Sequence, residues 1–63
     1  MAQFYIQASD EDRCRNAVVS RKPITVSAAT FNGTFQTFTG VVLTVENSPL
    51  AYPDFPLRVT MAD

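Results

Sequence analysis

The sequence lacks several residue types that small domains use for stabilisation or catalysis. Its 63 residues include no histidine, no tryptophan and a single cysteine, Cys14. One cysteine cannot form an internal disulfide, and the lack of histidine excludes the common zinc sites and any nucleophile activated by a histidine. A chain this short buries only about 60% of its unfolded surface, so its stability is marginal without a crosslink or a metal. We therefore expect either tight packing or self-association.

Charge and hydropathy exclude further classes of protein. Five basic and six acidic residues give a formal net charge of −1, so the chain has no overall positive field for DNA or RNA. No apolar run approaches the roughly 20 residues that a membrane-spanning helix needs, and the N-terminus lacks the basic and apolar regions of a secretory signal. A free cysteine without a signal predicts a cytoplasmic protein with no membrane partner.

The remaining composition is that of a folded domain. The chain is 46% hydrophobic with five phenylalanines and two tyrosines, which is enough for a core and argues against disorder. We expect one domain over residues 1–63. A domain this small rarely encloses a desolvated cleft, so we predict that it is not an enzyme and uses no cofactor. Asp10, Glu11 and Asp12 lack the glycine and the distal glutamate of a calcium loop, so no metal site is predicted.

The dipeptide Asn32-Gly33 lies between two β-rich segments, residues 24–31 and 34–45. Asparagine and glycine accept positive φ at successive positions, as a type I′ hairpin turn requires. A two-residue loop would pair Ile24 with Val41 and would fix which face of each strand is buried. The core face that this register predicts consists of Ile24, Val26, Ala28, Phe35, Val41, Leu43 and Val45.

The opposite face of this hairpin is rich in serine and threonine, as a solvated face should be. Phe31, Phe38 and Val42 are its exceptions, and Tyr52 and Phe55 follow in the next loop. Exposed aromatic clusters mark contact sites, so we predict that these five residues bind a protein partner. The alternative is that barrel closure or the proline-rich loop buries them.

The segments around the hairpin complete the predicted sheet. Residues 4–8 alternate as a first strand, and residues 57–61 form a last strand with Leu57, Val59 and Met61 inward. Residues 47–56 hold three of the four prolines, which predicts a loop folding back over one end of the core. Gly40 suggests a bulge or a sharp bend where the long strand curls.

Residues 9–20 allow two interpretations. A helix would have three acids at its N-terminus, in agreement with the helix dipole, and would place Cys14, Ala17 and Val18 on one face. The other interpretation is a loop, with a short helical turn over residues 10–15, followed by a strand over residues 17–20. The β-branched Val18 and Val19 favour this second interpretation, which we adopt.

Together these elements predict an all-β fold of four to five strands. Its architecture resembles a small SH3-like barrel or a curled antiparallel sheet, with one short helical turn near residues 10–15. This resemblance concerns architecture and carries no function.

The function that fits best is a small protein-interaction or assembly module that self-associates or docks on a larger protein. The pattern fits a homo-oligomer and a hetero-complex equally. An alternative is a barrel that binds single-stranded nucleic acid weakly, with cations for phosphates and aromatic rings for bases. The adjoining acids cancel that field nearby, so the same cations fit a solvated sheet edge better. The basic residues of this alternative are Arg13, Arg15, Arg21 and Lys22.

Overall fold

The computed structural model describes residues 1–30 and 32–62, and within them all side chains except those of residues 49–52. Four antiparallel strands form a closed ring in the order β1-β2-β3-β4, and one helix packs against it. The predicted all-β barrel or curled sheet is therefore confirmed. In chain order the elements are β1 (Ala2–Ile6), a 3₁₀ turn (Ala8–Asp10), α1 (Glu11–Ser20), β2 (Ile24–Ala29), β3 (Phe35–Tyr52) and β4 (Phe55–Ala62).

The core fills the ring and extends beneath the helix. β1, β2 and β4 contribute core residues at alternate positions, as half-buried strands do. The inward positions predicted for the last strand, Leu57, Val59 and Met61, are confirmed. The first strand ends at Ile6 rather than at residue 8, because the chain enters the 3₁₀ turn there. The buried core cluster consists of Phe4, Ile6, Cys14, Ala17, Val26, Ala28, Val42, Leu57, Val59 and Met61.

The hairpin forms, but its register differs by one residue from the prediction. Ile24 pairs with Gly40 rather than with Val41. The turn closes with the Gly33 N–H donating to the Thr30 carbonyl at 2.9 Å and the Thr30 N–H donating to the Thr34 carbonyl at 2.7 Å. Gly33 has φ 86°, and because Thr30 faces Thr34 across the turn, the two-residue type I′ loop is excluded. The Asn32 side chain instead accepts bonds from the Thr34 N–H and hydroxyl at 3.3 and 2.9 Å, which stabilises a loop one residue longer.

This shift exchanges the two faces of the first half of β3, because side chains alternate along a strand. Phe38 points inward and stacks on Phe4, with ring centroids 4.4 Å apart. Val42 is 2% exposed, whereas Phe35 and Leu43 are 59% and 42% exposed. The predicted outward positions of Phe38 and Val42 are therefore wrong, as are the inward positions of Phe35 and Leu43. On β2 the prediction that Val26 and Ala28 are buried is correct, since its side-chain faces are unchanged.

A bulge at Leu43 returns the side chains beyond it to the predicted directions, so that Val45 packs inward. Val42 pairs with Met61 and Thr44 pairs with Thr60, so β3 has one more residue than β4 at this point. Because of this extra residue, Val42 and Val45 both pack toward the core although they are three positions apart. The bulge predicted at Gly40 thus occurs three residues later.

Gly40 has a different role, at the point where β3 leaves β2 and begins to pair with β4. Its partner on β2 is Ile24, and the next residue, Val41, pairs with Ala62. A Cβ atom on Gly40 would collide with the Ala62 carbonyl oxygen and would lie 3.0 Å from the Met61 side chain. Glycine therefore permits β4 to approach β3 closely at the point where β3 passes from β2 to β4.

The proline-rich segment is more regular than predicted. β3 continues to Tyr52, the chain turns at Pro53 and Asp54, and β4 begins at Phe55. The predicted loop over residues 47–56 is therefore wrong for most of its length. The ladder accommodates the segment through an irregularity between Asn47 and Tyr52, in which β3 gains residues relative to β4.

Residues 11–20 form a helix, so the predicted strand over residues 17–20 is wrong. Cys14 and Ala17 are buried and Val18 packs against the core, which are the three residues that the helical interpretation places on one face. This packing outweighs the weak strand preference of the two valines. The helix ends where Arg21 adopts a left-handed conformation with φ 59° and donates its N–H to the Ala17 carbonyl at 2.9 Å. In the part of the chain that the structure describes, no helix is long and apolar enough to cross a membrane.

Candidate interaction surface

The outer face of the β2–β3 hairpin is neutral and mostly hydroxylated. The Thr25 and Thr39 hydroxyls lie 3.0 Å apart, and those of Ser27 and Thr37 lie 3.5 Å apart. No charged residue occurs between residues 23 and 45. At the turn end of this face, the next pair along the hairpin is apolar and consists of the buried Ala29 and the exposed Phe35.

Phe35 is the centre of an exposed apolar patch. Its ring meets that of Phe55 edge to face, with centroids 6.0 Å apart and planes at 63°. Beside Phe55 lies a depression of about 300 Å³, whose lining also includes Ala29, Gly33, Pro53 and the charged Asp54. We call Phe35, Phe55, Ala29 and Pro53 the Phe35 patch. It brings β2, the start of β3 and the β3–β4 turn together at one end of the barrel.

The predicted partner-binding residues have different positions in the structure. Phe55 lies in the Phe35 patch and is half-buried. Val42 is buried in the core, whereas Phe38 is half-buried: it packs against the core through Phe4 and also lines a surface depression with Gln36. Phe31 and the side chain of Tyr52 lie outside the described residues. The sequence prediction placed Phe35 on the core face, so it missed this exposed ring. A hairpin loop one residue longer at Asn32-Gly33 would have placed Phe35 on the outer face.

Phe35 also begins a sheet edge whose backbone groups can be assigned. The bond between the Thr30 N–H and the Thr34 carbonyl fixes the hydrogen-bonding phase of the hairpin. Because bonded and non-bonded pairs alternate in an antiparallel ladder, Gln36 and Phe38 bond to β2. The N–H and carbonyl groups of the alternate residues point away from β2. These residues are Phe35, Thr37 and Thr39, which we call the β3 edge.

The β3 edge has no partner strand among residues 1–30 and 32–62. On that side of β3, pairing with β4 begins only at Val41, whose partner is Ala62. The edge residues themselves are exposed. An exposed row of backbone donors and acceptors is a site at which another strand can pair.

Two other strand edges are covered by arginines of α1. Arg13 donates to the Thr25 carbonyl of β2 at 2.5 Å, and Arg15 donates to the Val45 carbonyl of β3 at 3.3 Å. Arg15 also forms an ion pair with Glu11 at 2.8 Å. These contacts bridge the helix to both strands and occupy one backbone carbonyl on each.

The predicted nucleic-acid residues therefore differ in their surroundings. Arg13 and Arg15 bond to backbone carbonyls within the chain, and Glu11 neutralises Arg15 locally. Arg21 and Lys22 follow the helix and are exposed. Base stacking in this hypothesis would use Phe31 or Phe38; Phe38 stacks on Phe4, and Phe31 lies outside the described residues.

On the other side of the barrel, the outer face is charged rather than neutral. Arg58 of β4 and Glu46 of β3 are directly paired and form an ion pair at 2.8 Å. The hydrogen bond and the charge of Glu46 raise the pKa of Arg58, and Tyr5 on β1 adds to this shift. The neutral face that carries Phe35 is thus distinct from this charged one.

The chemistry of Cys14 does not favour a reactive thiol. Cys14 is fully buried. Burial raises the pKa of the Cys14 thiol above its ordinary value, the charge of Asp10 raises it further, and the charge of Arg13 opposes them. The described residues contain no group of three or more side chains suited to holding a metal ion.

A second apolar region lies between α1 and β3, away from the Phe35 patch. Val18, Val19 and Val45 line a groove of about 400 Å³, with Arg15 and Thr44 also in its lining. Val19 is 83% exposed. Its exposure makes Val19 a useful reference for any effect assigned to Phe35.

Comparison of the chain with protein-family models, with curated proteins and with solved structures finds no match, so its function is inferred from its own geometry.

Proposed function

We propose that this protein is a small, non-catalytic interaction or assembly module that contacts a protein partner or another copy of itself through the Phe35 patch. The observation that carries this proposal is the 59% exposure of Phe35 at the end of a neutral, uncharged face. Large aromatic side chains on a surface are enriched at the centres of protein contacts. The edge-to-face contact with Phe55 holds the ring in place, which lowers the entropy cost of binding.

The energetics of a small domain support the same function. Complete burial of a phenylalanine side chain contributes about 1.5–3 kcal/mol. A domain of this size has a core that supplies only about 3–5 kcal/mol of net stability. Because Phe35 is 59% exposed, a contact that buries the rest of its ring adds about 1–2 kcal/mol, which is a sizeable fraction of that total.

Mass measurement by light scattering across a dilution series tests the self-associating form. The variants are Phe35→Ser and, as a control at an exposed valine elsewhere, Val19→Ser. We expect the wild type to gain mass with concentration and Phe35→Ser to associate at least about tenfold more weakly, since burial of the ring is lost. Val19→Ser should match the wild type. Association that requires an added oligonucleotide and disappears in Arg21→Gln would favour the nucleic-acid hypothesis instead.

Site-specific photo-crosslinking tests the form that docks on a larger protein. A benzophenone side chain replaces Phe35 in one sample and Val19 in another, and both are irradiated in a cell extract. A discrete adduct at position 35 that is absent at position 19, and that is lost when Phe55→Ser is added, supports the proposal. Equal adducts at both positions, together with a mass that does not change on dilution, contradict it.

A further inference from the structure

We infer that two copies of this chain associate by strand addition, with the β3 edge of one copy pairing antiparallel with the β3 edge of the other. This inference rests on the proposed assembly function and specifies its partner and its geometry. Strand addition at an exposed sheet edge is a common mode of protein recognition, in which backbone hydrogen bonds supply affinity.

The β3 edge lacks the features that normally prevent such pairing. Proteins protect exposed edges with charges, prolines or a covering element. Here Arg13 and Arg15 bond to carbonyls of β2 and of the second half of β3, but no described side chain bonds to the backbone of the β3 edge. Residues 24–45 contain neither a proline nor a charged residue. Threonine and phenylalanine, which make up the edge, both favour strands.

The edge is complementary to itself in one register. With Thr37 on a two-fold axis, Thr37 faces Thr37 of the second copy, and Phe35 faces Thr39 of the second copy. All three residues point their N–H and carbonyl groups toward the edge, so each facing pair exchanges two hydrogen bonds. A register shifted by two residues leaves one edge residue of each copy without a partner. A register shifted by one residue places each edge residue opposite a residue whose N–H and carbonyl point toward β2, so the bonds cannot form.

The side chains are compatible with this register. On the outer face, the Phe35 ring lies opposite a threonine, and cross-strand pairs of aromatic and β-branched residues stabilise sheets. On the inner face, Gln36 lies opposite Phe38 of the second copy. Within residues 1–30 and 32–62, the charged side chains of the ring lie on β3 beyond the bulge and on β4, so this register brings no like charges of the described residues together. A neutral, self-complementary edge fits a second copy better than a charged partner strand.

Amide hydrogen exchange measured by NMR at low and high protein concentration tests the pairing directly. The amides of Phe35, Thr37 and Thr39 should exchange at least about tenfold more slowly at the concentration where light scattering detects the dimer. The amides of Gln36 and Phe38 should be protected at both concentrations, because they bond to β2. This alternation of protected and unprotected residues is specific to strand addition.

A matched pair of variants tests the same contact. Thr37→Pro removes an N–H that points away from β2, so the hairpin ladder is preserved. Thr37→Val keeps the N–H and the β-branched shape. We expect Thr37→Pro to weaken dimerisation at least tenfold and Thr37→Val to leave it within about twofold.

A crosslinking experiment covers the case in which Thr37→Pro does not fold. Thr37→Cys places a thiol on the proposed two-fold axis, whereas Ser27→Cys places one on the neighbouring strand of the same face. The native Cys14 is buried and does not compete. Under mild oxidation we expect a covalent dimer from Thr37→Cys and none from Ser27→Cys.

Three results overturn the inference. The first is a protein that remains monomeric at millimolar concentration. The second is a dimer whose Phe35, Thr37 and Thr39 amides exchange as rapidly as in the dilute protein. If Phe35→Ser weakens such a dimer, contact through the Phe35 patch is supported and only the strand pairing is contradicted. The third is protection of these amides by another protein's strand but not by a second copy. Conversely, protected amides in a dimer that Phe35→Ser does not weaken support the pairing and contradict the patch.

Discussion

At the scale of single residues, Arg21 shows how a local conformation limits stability. It ends α1 with φ 59°, a left-handed conformation that helices usually assign to glycine. A residue with a Cβ atom pays about 1–2 kcal/mol to adopt this conformation. The Arg21 N–H nevertheless bonds to the Ala17 carbonyl, which closes the helix.

We expect Arg21→Gly to raise the free energy of unfolding by about 0.5 kcal/mol, because relief of the strain exceeds the added entropy of the unfolded chain. Urea denaturation at a concentration where the protein is monomeric measures the change. Arg21→Ala is the control, since it removes the charge and keeps the strain. A gain of the same size in Arg21→Ala would show that charge, not backbone strain, is responsible.

Cys14 makes stability depend on pH. Burial raises the pKa of the thiol in the folded state above that in the unfolded state, so the folded chain holds this proton more tightly. The resulting stability is fully present below the unfolded thiol's pKa of about 8.5 and is lost as pH rises through the folded value.

Relative to Cys14→Ala, the wild type should therefore lose stability on going from pH 8 to pH 10.5. Denaturation curves collected across this range for both proteins give the difference. Parallel pH dependences in the two proteins would rule out a contribution from this thiol.

At the scale of elements, β3 determines how much of the fold the sequence can predict. The alternation of Leu57, Val59 and Met61 correctly predicts the inner face of β4, because that strand pairs without interruption with β1. Asn32-Gly33 correctly predicts a hairpin, but the dipeptide suits two loop lengths. Hydrogen bonds from the Thr34 side chain and backbone to Asn32 favour the longer loop, and local propensity does not include them.

Local reasoning also misplaced the bulge and decided against the helix, which it had offered as one of two interpretations. The bulge at Leu43 depends on how β3 meets β4, which is a contact between residues distant in sequence. The helix forms because Cys14 and Ala17 find a core to pack against, and the strand preference of Val18 and Val19 gave the opposite result. The predicted contact site was wrong at Phe38 and Val42 for the same reason, since the outward positions on β3 depend on the hairpin register.

Gly40 gives a prediction at the element scale. A Cβ atom at this position would meet the backbone carbonyl of Ala62, which cannot move without displacing β4. We expect Gly40→Ala to lower the free energy of unfolding by about 1–3 kcal/mol, as overpacked sites do. Gln36→Ala, at an exposed position of the same strand, should change it by less than about 0.5 kcal/mol. Equal stability of Gly40→Ala and the wild type in chemical denaturation would contradict the close approach of β3 and β4.

At the scale of the whole molecule, the barrel separates its aromatic residues by role. Phe38 and Phe4 stack within the ring, whereas Phe35 and Phe55 meet on its outside. An inner ring stabilises the monomer, and an outer ring stabilises a contact between molecules. If the protein assembles through Phe35, its thermal stability must rise with concentration, because binding to the folded state adds to its stability by mass action.

Thermal unfolding of the wild type, Phe35→Ser and Phe38→Ser at micromolar and millimolar concentrations tests this central claim most directly. We expect the wild-type Tm to rise with concentration, and the Phe35→Ser Tm to equal the dilute wild-type value at both concentrations. Phe38→Ser should be destabilised by about 1–3 kcal/mol at every concentration, because it removes a half-buried ring that packs against the core. The reverse pattern, with Phe35→Ser destabilised in the dilute monomer and Phe38→Ser losing only the concentration dependence, would contradict the account.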